Sequence, residues 1–140
     1  MLINLGLCKL SMSKSTNKAK ILIIDDDKDI NNLFKIYLEH DGYEVYSYTD
    51  PIEALYYFKK DEYDLILLDL KMPQMNGITL YHALKKIDED VSICLITADI
   101  SYLEQLKEKI SNIEKFVIYK PIFLKNLKEK VEALVMERRI

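Results

Sequence analysis

The segments Ile21-Leu22-Ile23-Ile24, Leu65-Ile66-Leu67-Leu68 and Ile93-Cys94-Leu95-Ile96 are each apolar at every position. An alternating strand can leave one sheet face to water, but an unbroken apolar run needs cover on both faces. Helical patterns follow these runs. Ile30, Leu33, Phe34, Tyr37 and Leu38 have the spacing of an amphipathic helix, with Asp27 or Asp29 as its cap and Gly42 as its stop. Tyr43 to Tyr48 is rich in aromatic and β-branched residues and reads as a second strand. Asp50-Pro51 opens a helix with Ala54, Leu55 and Phe58 inward, and Leu80, Ala83, Leu84 and Ile87 mark another after a loop at 73–77. A helix near Leu103 to Ile110, a strand from Phe116 to Tyr119 and a last helix from Phe123 to Glu137 complete the chain. Five strand–helix units with buried strands imply an α/β fold, a doubly wound parallel sheet with helices on both faces.

Composition narrows the function classes. The chain has 140 residues and a net charge of -3, which fits one globular domain and disfavours a general nucleic-acid binder. Its three glycines, Gly6, Gly42 and Gly77, cannot assemble a GxGxxG or P-loop phosphate cradle. Cys8 and Cys94 form no metal spacing with His40 and His82, and Cys94 reads as a buried free thiol in a reducing cytoplasm. No run is long enough for a transmembrane helix. Residues 1–18 break the pattern. They are expected to form a weakly ordered extension before a domain over 19–140, with Met12 an alternative start. Lys9 follows the apolar stretch instead of preceding it, so no signal peptide is expected.

In a doubly wound sheet the reactive crevice lies beyond the carboxyl ends of the strands. Those positions hold Asp25-Asp26-Asp27, Asp69, Thr97 and Lys120. If the first and third strands are neighbours, Asp25, Asp26 and Asp69 converge, and their repulsion calls for a cation. An oxygen-only donor set points to a hard metal such as Mg²⁺. With a lysine and a hydroxyl beside it, such a site suits phosphoryl transfer to a carboxylate. Taken singly, each residue has an ordinary role as helix cap, loop hydroxyl or solvated lysine. Their joint occurrence at the strand ends of one sheet argues for a site.

Four segments carry a family resemblance: residues 21–27 (Ile-Leu-Ile-Ile-Asp-Asp-Asp), residues 64–77 with their Asp-Leu-x-Met-Pro-x-Met-x-Gly core, Leu95-Ile-Thr-Ala98 and Tyr119-Lys-Pro121. The chain resembles the response-regulator receiver domain of two-component signalling over about residues 19–138. The resemblance implies a flavodoxin-like (βα)5 sheet with strand order 2-1-3-4-5. It also implies that Asp69 accepts the phosphoryl group and that Asp25 and Asp26 bind Mg²⁺ together with Asp69 and the Lys71 carbonyl. Thr97 and Lys120 would contact the phosphoryl group, and the Lys120-Pro121 bond is a candidate cis peptide. Lys71 and Asp99, two residues beyond Asp69 and Thr97, would be placed to tune the lifetime of the adduct.

Two positions depart from the family pattern. Val117 stands where an aromatic switch residue is common, with Tyr119 on the same strand face and expected to pack under a helix. Ser111-Asn112-Ile113 replaces a common Gly-Ala before the fifth strand. A haloacid-dehalogenase-like phosphatase would need an acid where Lys71 stands, and a flavodoxin would not put Asp25 to Asp27 in its phosphate loop. The remaining alternative is a non-phosphorylated pseudo-receiver acting as a protein-binding module. The expected protein is a stand-alone cytoplasmic receiver, monomeric or dimerising on phosphorylation, that is no enzyme beyond its own phosphorylation and dephosphorylation. Its expected partners are a histidine kinase or phosphotransfer protein and a downstream protein on the face of the fourth helix, fifth strand and fifth helix.

Overall fold

The structure is a computed structural model that describes residues 18–139. The expectations for the N-terminal extension, for Met12 as a start and for Cys8 fall outside those residues, apart from Lys18. Five strands alternate with five helices: β1 (Lys20–Ile24), α1 (Lys28–His40), β2 (Glu44–Tyr48), α2 (Pro51–Tyr57), β3 (Leu65–Asp69), α3 (Gly77–Ile87), β4 (Ser92–Thr97), α4 (Ile100–Lys107), β5 (Val117–Tyr119) and α5 (Leu124–Arg139). All pairings are parallel and the strand order is β2-β1-β3-β4-β5.

The apolar runs are buried on both sides. Leu22, Ile24, Ile66 and Leu68 join the core beneath α2, α3 and α4, while Ile21, Ile23, Leu65 and Leu67 join the core beneath α1 and α5. Cys94 lies wholly inside, and burial pushes its thiol up to about 12, which leaves it inert as a nucleophile. No helix of the described residues is long and apolar enough to cross a membrane.

The helix starts follow the sequence. Asp27 caps α1 by accepting from the Asp29 and Ile30 amides, and Asp50 caps α2 with Pro51 at the first helical position. Several details differ from expectation. Leu33 is 46% exposed, whereas Asn31 is buried at 2%. The inward stripe of α1 runs through Asn31, Phe34 and Leu38, and at about 100° per residue Leu33 points roughly 120° away from its centre. Ile87 is also exposed at the end of α3, α4 stops at Lys107, and Phe116 belongs to a short 3-10 turn (Ile113–Phe116). Tyr119 does not pack under a helix; it is 44% exposed and its hydroxyl donates to Glu114.

Asn31 has a structural task. Its amide donates to the Asp25 carbonyl at 2.7 Å and to the Tyr48 carbonyl at 3.0 Å, tying α1 to the ends of β1 and β2. Asn31→Ala would strand the Asp25 carbonyl, while the Tyr48 carbonyl keeps the Asp25 amide at 3.2 Å. The substitution is expected to cost about 1–2 kcal/mol. A lower urea midpoint with an unchanged slope would show it.

Candidate functional site

Strand register brings the acidic residues together. Ile24 pairs with Leu68, so Asp25 and Asp69 leave the sheet side by side. Asp69 pairs with Ile96 and Thr97 with Tyr119, so Thr97 and Lys120 follow one step further along the same edge. One open pocket is lined by Asp25, Asp26, Asp69, Lys71, Thr97 and Lys120. The sequence-expected residues therefore meet in one place, with Asp99 also on the pocket wall.

Asp25, Asp26 and Asp69 each offer a carboxylate oxygen within 4.8 Å of the others. Asp25 is 1% exposed and Asp69 3%. One Asp25 oxygen accepts the Asp27 amide at 2.9 Å, while the buried Oδ2 has no hydrogen-bond partner. Burial pushes the Asp25 carboxyl up to about 6 against the pull of that amide, and the neighbouring Asp69 charge adds to the rise. Asp69 is raised too, chiefly by burial, although Lys120 opposes the shift. Lys120 Nζ stands 3.4 Å from Asp69 Oδ2, and the Lys71 amide donates to Asp69 Oδ1 at 3.2 Å. A crowded oxygen-only set with an orphaned buried carboxylate oxygen fits a hard divalent cation.

Thr97 is buried but makes no bond to Asp69. Its hydroxyl accepts the Asp99 amide at 2.9 Å and donates to the Asp99 carbonyl at 3.2 Å. Asp99 caps α4 by accepting from the amide and hydroxyl of Ser101, and the Ser101 hydroxyl holds its carboxyl below the usual range. The Lys120-Pro121 peptide is cis, as expected. The anchor Asn31 belongs to no motif; its signal in the sequence is a polar residue on the inward stripe of α1.

Fold and site together define a doubly wound parallel domain with an acidic pocket at the carboxyl edge of its sheet, flanked by a lysine and a hydroxyl. A family model described as the response regulator receiver domain matches residues 21–132. The chain belongs to the response-regulator receiver family of two-component signalling, and this is a signalling domain, not a classical enzyme.

Among its relatives, the transcriptional regulatory protein PrrA of Mycobacterium tuberculosis is 29% identical over 127 residues, covering 91% of this chain and 54% of that protein. Sporulation initiation phosphotransferase F of Bacillus subtilis is 34% identical over 91 residues, covering 64% of this chain and 73% of that protein. The solved CheY-like receiver domain protein from Methanospirillum hungatei JF-1 aligns with a TM-score of 0.78 at 27% identity, covering 87% of this chain and 97% of that one. The chain spans about half the length of PrrA and of the other transcriptional regulators first among its relatives.

Proposed function

We propose that Asp69 accepts a phosphoryl group from a phosphohistidine of a histidine kinase or phosphotransfer protein, and that the transfer depends on Mg²⁺. One observation carries this reading: the nearly buried Asp69 carboxylate meets Lys120 Nζ at 3.4 Å and stands within 4.8 Å of two further carboxylates. In the transfer an Asp69 oxygen attacks phosphorus, the P–N bond breaks, and its electron pair stays on the imidazole nitrogen. Lys120 offsets charge on the phosphoryl oxygens. Asp25, Asp26, Asp69 and the Lys71 carbonyl would hold Mg²⁺, which supplies further charge neutralisation when bound. Hydrolysis returns the carboxylate, so the domain catalyses only its own phosphorylation and dephosphorylation. Lys71 and Asp99 flank that water's approach and set its rate.

The test is mass spectrometry after incubation with phosphoramidate and Mg²⁺. One phosphoryl adduct on Asp69 is expected, lost in Asp69→Asn and in chelator. An adduct that persists in Asp69→Asn would disprove the site. No adduct in the wild-type protein would favour a protein-binding pseudo-receiver.

The resting Thr97 bonds suggest the switch. To reach a phosphoryl oxygen the hydroxyl must leave Asp99, which releases the start of α4. Val117 is buried and has no ring to swing, so the motion passes through Ala98 to Tyr102 and outward to partners on the α4–β5–α5 face. Thr97→Ala is expected to keep phosphorylation largely intact while losing this motion. Amide exchange with and without beryllofluoride reads it: protection over residues 97–106 should change in the wild type and stay constant in the variant. Constant protection in the wild type would refute the switch.

A further inference from the structure

The far end of β4 carries a second, unrelated cavity. It holds about 160 Å³ and opens near the amino edge of the sheet, away from the acidic pocket. Ile93 and Leu95 of β4, Ile110 and Ile113 of the segment after α4, and Phe116 supply its apolar walls. A cavity of about 150 Å³ with such walls takes one benzene-sized group. Four residues with polar side chains, Tyr81, Lys85, Asp90 and Ser92, join the lining. Tyr81, only 9% exposed, brings its phenol ring, and half-buried Lys85 brings an ammonium.

Lys85 fixes the chemistry of the occupant. Its Nζ donates to the Val91 carbonyl at 2.5 Å and to the Glu89 carbonyl at 3.4 Å, which leaves one of its three donors uncommitted. Burial lowers its pKa and Arg138 adds to the drop, while the carboxylates of Asp88 and Asp90 oppose it. The neighbouring surface adds His82, Lys86 and Lys109 around Lys85, with Glu89 opposing them, and exposed Asp90 stands at the cavity mouth. Arg138 reaches the Asp90 carbonyl from α5, so a second cation borders the same edge.

We propose that this cavity is a binding site for a small aromatic carboxylate, its ring among Ile93, Leu95 and Ile113 and its carboxylate on Lys85 Nζ. The charge-assisted bond supplies selectivity and the buried ring supplies most of the affinity. The site shares β4 with Thr97, so an occupant braces the strand that leads to the phosphoacceptor pocket.

Benzoate is the probe, titrated into the full chain labelled for two-dimensional amide NMR in a Mg²⁺-free buffer. Saturable shifts are expected at residues 91–95 and 110–116, with a dissociation constant of about 0.1–1 mM, as a ligand of this size allows. Ile110→Phe, which fills the cavity from its half-buried wall, should abolish them. Lys85→Met should weaken benzoate about tenfold and leave the neutral isostere benzamide unchanged. Shifts that do not saturate, that centre on Asp25 and Asp69, or that survive Ile110→Phe in a folded variant would overturn the proposal. Equal losses of benzoate and benzamide in Lys85→Met would overturn the role of Lys85. Neither result depends on whether Asp69 is phosphorylated.

Discussion

Gly77→Ala is expected to destabilise this domain by at least about 3 kcal/mol, although glycine to alanine inside a helix ordinarily gains about 1 kcal/mol. The sign reverses because of what a Cβ would meet. It would lie 2.4 Å from Leu70 Cα, 2.5 Å from Leu70 O and 2.8 Å from Leu70 C, all backbone atoms that no rotamer change can move. The Gly77 amide also donates to Leu70 O at 3.0 Å, so the first turn of α3 is fastened to the loop it would have to leave. Leu70 lies between Asp69 and Lys71, and pushing it aside displaces both. The variant should therefore lose phosphoryl uptake as well as stability. Gly42 is the control: its φ is +99° and nothing lies within 4 Å of a Cβ there, so Gly42→Ala costs only backbone strain of about 1 kcal/mol. Urea midpoints of the two variants check the contrast, and a Gly77→Ala protein as stable as Gly42→Ala would contradict it.

Much of this architecture was legible because a few residues admit one physical reading. Unbroken runs such as Leu65 to Leu68 have to be covered on both faces, and parallel pairing then carries Asp25, Asp69, Thr97 and Lys120 to one edge. Asp27 and Asp50 mark helix starts because their carboxylates satisfy amides that a helix leaves open. What stayed hidden depends on neighbours distant in sequence. Leu33 fits a helical spacing as well as Ile30 does, and only the position of α1 on the sheet turns it outward and Asn31 inward. Tyr119 shares a strand face with buried Val117, yet β5 is the edge strand and α4 ends at Lys107, and Tyr119 stays 44% exposed. The Thr97 residue type announces a hydroxyl but not its resting partners on Asp99. The apolar cavity at the far end of β4 has no motif, since its walls come from three separate segments.

In metal-free solution Asp25→Asn is expected to melt at a higher temperature than the wild type. Burial drives the Asp25 carboxyl from 3.8 to about 6, so at neutral pH the folded protein holds a charge it disfavours. Two pKa steps would be worth about 3 kcal/mol at most, and about 1–2 kcal/mol after screening by pocket water, or roughly 3–8 °C in a domain of this size. Asparagine keeps the oxygen that accepts the Asp27 amide. It also puts a donor among carboxylates where the unpartnered oxygen was. The sign of the pH response follows. The folded carboxyl binds its proton more tightly than the unfolded one, so this contribution to stability is complete below about pH 4 and is lost as pH rises through about 6. Asp69 is shifted the same way and works in the same direction. Lowering the pH of the chelated wild type from 7 to 5 should therefore raise the share of stability set by these carboxyls, and the Asn variant should respond less. Added Mg²⁺ should stabilise the wild type at neutral pH by binding the folded state, and the variant far less. Calorimetry in chelator and in excess Mg²⁺ reads both effects, and a chelated Asp25→Asn that melts below wild type would reject the account. A pocket that repels itself when empty binds a cation because the cation relieves that repulsion, so the same substitution that stabilises the free domain should remove its metal response.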